Sequence, residues 1–231
     1  MISVVIRTKN EEQWIGRCLD AVFRQEGLEF EVIVVDNESL DDTVRIVKQF
    51  DCRLLTISEK EFSHGRSLNL GISAARRDLV AILSGHCIPA HDRWLRRLAL
   101  AFAEPEVAGV YGRQEPLPDT SDLDKRDLWT AFGLERRVQT QDYFFHNANS
   151  MIRRETWERV PFNEDLSGVE DREWAKRVLD LGYTIVYEPA ASVYHFHGIN
   201  HGQDETRAAR VVRVIELLKN GRVRAAESNN G

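Results

Sequence analysis

The sequence is poor in cysteine, in excess positive charge and in long apolar runs. Three cysteines among 231 residues, Cys18, Cys52 and Cys87, are too few and too scattered for a disulfide framework or a zinc knuckle. With 31 Lys+Arg against 37 Asp+Glu, the net charge of −6 and the lack of a long basic run argue against nucleic acid as the main partner. No apolar stretch approaches the roughly 20 residues that cross a bilayer. The opening Ile2–Ile6 run is too short for a signal peptide and reads as a strand. These absences point to a soluble protein of a reducing, cytoplasmic compartment.

What is present is a two-period pattern. Ile2–Arg7, Glu31–Asp36, Arg53–Ile57 and Leu79–Ser84 are nearly continuous apolar runs, as in strands covered on both faces. Helical patterns separate them. Asn10, with Gln13 reaching back, is placed to cap a helix that turns Trp14, Ile15, Cys18, Leu19, Val22 and Phe23 inward. Ser39 and Asp42 form a similar box ahead of Val44, Val47 and Phe50, and Leu68, Ile72 and Ala75 mark a third helix. The β-α-β-α-β-α-β order predicts an α/β fold with a mostly parallel central sheet flanked by helices. Ligands in such sheets bind beyond the C-terminal strand ends, here Thr8–Asn10, Asp36–Asp42 and Ser84–Pro89.

The second half is less regular. Helices are expected over Asp92–Phe102, Met151–Val160 and Glu170–Leu181, the last stopped by Gly182. Strands are expected at Val107–Tyr111, Thr184–Tyr187 and Ser192–His195, with a loop over Glu115–Asp127. An amphipathic helix is expected at Glu205–Lys219 and a disordered tail from Ala225. Its Arg207, Arg210, Arg213 and Lys219 offer a peripheral contact with the inner face of an anionic membrane; Glu205 and Glu216 instead suit a solvated face. The division expected is one domain over 1–220, with a nucleotide-binding half (1–103) and an acceptor and catalytic half (104–220), then a tail over 221–231. Nothing in the sequence reads out an oligomeric state.

Several catalytic signatures are missing. Arg7-Thr8-Lys9-Asn10-Glu11 follows the first strand without the glycines that cradle a pyrophosphate on backbone amides, and no glycine-flanked serine elbow exists. Phosphate binding would therefore need a metal, an arginine or a histidine.

The segments Ile2–Glu11, Val34–Thr43, Glu61–Gly65, Asn69–Gly71, Tyr111–Gln114, Asn147–Ser150, Gly168–Asp171 and Val193–His197 together resemble a GT-A-fold family 2 glycosyltransferase, most closely the rhamnosyltransferase-like branch. The resemblance runs over about residues 2–200, in the family's order. It implies an inverting enzyme that moves a sugar from a nucleoside diphosphate donor, UDP- or dTDP-linked, to a hydroxyl of a glycan or glycolipid. Asp36 would read the base, although turn aspartates are common at such places. Thr8 and Asn10 would face the same pocket, and Arg66 would pair with the donor or remain a surface arginine. His86 stands where the family keeps the last aspartate of Asp-x-Asp, so Mn²⁺ or Mg²⁺ is implied only if imidazole replaces carboxylate. His195 and His197 share a strand face and are candidate further ligands; His86 acting as a cation without metal stays open. Asp171 would be the general base, with Glu170 in support. Asn147 and Asn149 would line the cleft, and Trp174 would stack on an acceptor sugar or pack in the core. A catalytically inactive GT-A domain that binds a nucleotide sugar or a partner is the alternative, which retention of Glu170-Asp171 opposes.

Overall fold

The computed structural model describes residues 1–166, 168–197, 212–213 and 216–217. The elements are β1 (Ile2–Thr8), α1 (Ile15–Phe23), β2 (Phe30–Asp36), α2 (Thr43–Val47), β3 (Arg53–Thr56), α3 (His64–Ser73), β4 (Leu79–Ser84), β5 (Cys87–Pro89) and α4 (Trp94–Leu100). There follow β6 (Val107–Pro116), α5 (Asp122–Ala131), β7 (Arg137–Gln139), β8 (Asn149–Arg153), α6 (Arg154–Arg159), α7 (Glu170–Asp180) and β9 (Thr184–His195). One sheet has the order β3-β2-β1-β4-β8-β6-β9-β5, with β7 on β9.

The first four strands are parallel, as their apolar runs predict. Val4, Ile6, Val34 and Leu83 pack on one face with Ile15, Leu19 and Leu95. Val5, Ile33, Val35 and Ile82 pack on the other with Leu68, Ile72 and Trp174. Both faces are buried, so these strands are mainly apolar, and the polar exceptions such as Ser3 are paired, its hydroxyl donating to Glu31 at 2.7 Å.

The second half is mixed. β8 lies antiparallel between β4 and β6, while β9 runs parallel to β6. The expected Met151–Val160 helix is therefore a strand through Arg153 and a helix only over Arg154–Arg159. Met151 is buried in the sheet, and a short apolar pair, Met151–Ile152, satisfies a strand as well as a helix. The expected Glu115–Asp127 loop contains the end of β6 and the start of α5, which Ser121 caps by accepting the Asp124 N–H. The two C-terminal strands are one, β9, whose register against β6 shifts between Gly112 and Gln114. Any side chain at Gly112 would collide there with the Ala191 carbonyl and the Asn149 amide. Gly182, at φ +88°, ends the α7 segment as anticipated.

The capping expectations fail. Asn10 sits at φ +52° and its Oδ1 accepts the Leu40 N–H at 2.8 Å, while α1 starts at Ile15. Ser39 donates its hydroxyl to Asp36 Oδ1 at 2.6 Å instead of capping α2. Short polar side chains satisfy turns as readily as helix ends. Phe23, expected inside, is 37% exposed, and stacks on Phe50. The expected Glu205–Lys219 helix lies largely outside the described residues, as does the tail; 212–213 and 216–217 are helical. Among the described residues no helix is long and apolar enough to cross a membrane.

Candidate active site

At the C-terminal ends of β1 and β4 a pocket of about 110 Å³ is lined by Arg7, Ser84, His86, Asn147, Glu170, Asp171, His195 and His197, among others. A second hollow of about 130 Å³ shares Arg7, His64, Ser84 and His86 and reaches Thr8, Lys9 and Glu11. Larger depressions lie elsewhere and hold none of the carboxylate and histidine cluster.

Sheet pairing assembles the histidines. β5 runs antiparallel to β9 with Cys87 opposite His195, which brings His86 beside that strand. The His86 and His195 rings stack 5.0 Å apart at 4°, and the His197 ring is 4.6 Å and 4.5 Å from them. His86 Nδ1 lies 2.5 Å from Glu11 Oε1, and His195 Nδ1 lies 2.7 Å from Gln114 Oε1. One ligand atom each from His86, Cys87 and His195 falls within 4.8 Å of the others. Burial drives the Cys87 thiol well above its ordinary pKa, so the imidazoles are the readier donors.

The carboxylates come from the first turn of α7. Glu170 Oε2 accepts the Gly168 N–H at 2.8 Å, and Asp171 accepts the N–H groups of Arg172 (2.8 Å) and Asn147 (3.3 Å). Burial, and then the neighbouring Asp171 charge, push Glu170 up to about 7, while Arg7 pulls it back. Burial lowers the Arg7 guanidinium in turn, and the charges of Glu170 and Asp171 oppose that.

The other predicted residues divide. Thr8 lines the second hollow, with its hydroxyl buried and unpartnered. Asn147 lines the main pocket, and its amide nitrogen is likewise buried without a partner. Asp36 is 2% exposed, and both carboxylate oxygens are engaged by Ser39, one by the hydroxyl and one by the N–H at 3.0 Å. It ties the β2 loop, and Asn10 ties that loop to the end of β1. Three of the named residues lie away from the histidine pocket, Arg66 as a surface arginine and Trp174 in the core. Arg66 pairs with Glu164 at 2.8 Å over a separate depression, because its place on α3 points it away from the histidines. Asn149 is fully buried, bonding the Trp94 N–H and the carbonyls of Ala191 and Arg113, so it braces β6 and β9 behind the pocket. Trp174 is fully buried with its indole N–H on Val160 O, leaving no ring face for a sugar.

Arg7, Glu11, Gln114 and His146 escaped the sequence reading. Arg7 carried a usable signal, a charge inside an otherwise apolar strand; the others show their role only through distant partners.

The sheet, with its parallel half, its antiparallel β8 and a polar site at the strand ends, defines a GT-A glycosyltransferase fold. Solved structures that share it include the following two. Mannosyltransferase PcManGT from Pyrobaculum calidifontis in complex with GDP-Man and Mn2+ matches with a TM-score of 0.71 at 21% identity, covering 98% of this chain and 65% of that one. S. aureus TarS 1-349 in complex with UDP-GlcNAc matches at 0.64 and 18%, covering 94% and 66%. Residues 3–160 match the family model Glycosyl transferase family 2, and the chain belongs to that family. It is 29% identical over 188 residues to O-antigen chain rhamnosyltransferase WbaN of Salmonella anatum, covering 77% of this chain and 60% of the relative. Glycosyltransferase AglE of Haloferax volcanii is 31% identical over 197 residues, covering 80% and 64%. With O-antigen chain rhamnosyltransferase RfbN of Salmonella typhimurium included, the chain spans 60% to 66% of these relatives' length.

Proposed function

We propose that the chain is an inverting glycosyltransferase that moves a sugar from a nucleoside diphosphate donor to a hydroxyl of a glycan or glycolipid in cytoplasmic surface-polysaccharide synthesis. The observation that carries this is one pocket at the strand ends uniting the Glu170–Asp171 pair with a cluster of three imidazoles, His86 from one segment and His195 and His197 from another.

Asp171 takes the acceptor proton as the hydroxyl oxygen forms its bond to the anomeric carbon from the face opposite the diphosphate. The bond from that carbon to the phosphate oxygen breaks, and its electron pair leaves with the diphosphate. The Asn147 N–H on the Asp171 carboxylate holds the base in orientation. Glu170, raised to about 7, carries a proton part of the time at neutral pH and limits the negative charge facing the diphosphate. Arg7, between the two hollows, adds a fixed positive charge. The base lies against the loops of Thr8–Asn10 and Asp36–Ser39; Asp36 shapes that wall and meets a base N–H through a second lone pair.

The donor set fits a divalent metal. The ligand atoms of His86, Cys87 and His195 lie within 4.8 Å of one another, against the at most about 4.2 Å between ligands bonded at about 2.1 Å, and the His197 ring lies 4.6 Å from His86 and 4.5 Å from His195. His86, His195 and His197 would hold the ion, which when bound neutralises charge on the leaving diphosphate.

The test is Asp171→Asn, assayed for transfer from UDP-, dTDP- and GDP-sugars, with calorimetric titration of UDP, dTDP, GDP and CDP with and without Mn²⁺. Transfer should fall about 100-fold to 10,000-fold while nucleotide binding persists. Unchanged transfer would overturn the base, and no nucleotide binding by the parent would favour a partner-binding domain.

A further inference from the structure

The hydrogen bonds around the histidines fix which ring nitrogen each presents. A carboxylate oxygen only accepts, so His86 Nδ1 donates to Glu11 and its lone pair sits on Nε2. His195 follows through a relay. The Ala148 N–H donates to His146 Nδ1 at 3.4 Å, so that nitrogen is an acceptor. The Gln114 NH₂ lies 3.0 Å from it, sharing that lone pair, and the Gln114 oxygen faces His195 Nδ1 at 2.7 Å. His195 Nδ1 therefore donates, and its Nε2 carries the lone pair as well. Gln114 is fully buried, so no water competes for this amide orientation. Histidines that ligate metals are held in this way, with the second ring nitrogen donating to a carboxylate or carbonyl oxygen.

We propose that Glu11 and Gln114 are positioning residues that preset His86 and His195 as Nε2 ligands, making this an imidazole site that selects Co²⁺ or Zn²⁺ over Mn²⁺ and rejects Mg²⁺. The proposal rests on the reading that the pocket binds a divalent ion. The chemistry follows from the donors: imidazole suits the later transition metals, whereas Mg²⁺ demands oxygen ligands and keeps its waters. Replacing a carboxylate by His86 removes the hard, charged ligand, and Glu11 returns the negative charge one atom layer further out. Glu11 has 18% of its side chain exposed and His86 17%, so the pair is shielded without being sealed.

The test is titration of Co²⁺ into the full chain, freed of metal by chelation and followed by visible absorption. The parent should develop Co²⁺ bands that stoichiometric Zn²⁺ removes and a hundredfold excess of Mg²⁺ leaves intact. Glu11→Ala should weaken Co²⁺ binding about 10-fold to 100-fold, with far-UV circular dichroism confirming the fold. Glu11→Gln, which still offers an oxygen to Nδ1, should recover most of that loss, and His86→Asp should let Mg²⁺ compete. Displacement by equimolar Mg²⁺, or Co²⁺ affinity unchanged in Glu11→Ala, would overturn the proposal. A Gln variant as weak as the Ala variant would make Glu11 a ligand and overturn its positioning role. A parent that binds no Co²⁺ would overturn the metal reading beneath it, leaving nucleotide titration to judge the transferase reading separately.

Discussion

Glu170 offers a direct thermodynamic test of the site's electrostatics. Its carboxyl rises from 4.5 to about 7 on folding, because burial and the Asp171 charge outweigh Arg7. Between those pH values the folded protein keeps a proton that the unfolded chain releases. Stability therefore falls as pH climbs through this window and levels off above it. At about 1.4 kcal/mol per pH unit, the whole loss amounts to about 3 kcal/mol. Glu170→Gln keeps an oxygen for the Gly168 N–H and cannot ionise, so it should escape the loss. Urea unfolding of both proteins from pH 4.5 to 8, in a chelator to exclude metal, cancels in the difference the titrating groups remote from Glu170, leaving its own ionisation and its interaction with Asp171 and Arg7. The variant should gain about 3 kcal/mol on the parent across the window, or about 6–12 °C in thermal midpoint for a chain of this size. Arg7→Met should extend the parent's loss to higher pH, and so enlarge it, by removing the opposing charge. Parallel pH profiles for parent and Glu170→Gln would refute the claim that the fold holds this carboxyl neutral.

Two further expectations concern residues that the fold takes away from the site. Trp174→Phe should cost about 1–3 kcal/mol through the lost Val160 hydrogen bond and a small cavity, with acceptor KM unchanged; a tenfold rise in KM would restore Trp174 to the cleft. Arg66→Ala should leave the urea midpoint essentially unchanged, since its ion pair with Glu164 is exposed, and nucleotide affinity by calorimetry should stay within twofold of the parent.

The parallel half was legible because burial on both faces forces continuous apolar runs, and those runs appear in Ile2–Ile6, Val32–Val35 and Leu79–Leu83. The pocket's location followed, since the order of the elements fixes which strand ends meet. Asp171 and His86 were marked by the family resemblance, and His195 and His197 also by their shared strand face. Local polarity was ambiguous: Asn10 and Ser39 satisfy a turn or a helix cap equally, and only the contact between their two loops chose the turn. Met151 failed for a related reason, because a short apolar run does not reveal its period until β4 and β6 close on it.

Chemistry-bearing residues were thus determined by the sequence, and their partners by the tertiary structure. Glu11 reaches His86 across 75 residues and Gln114 reaches His195 across 81. Periodicity reports which way a side chain faces within its own element, and carries nothing about which distant side chain it will meet. That meeting depends on β5 pairing with β9 and on the register shift at Gly112, both set when the sheet packs. The same packing buries Trp174 and Asn149, whose residue types alone suited a cleft as well as a core.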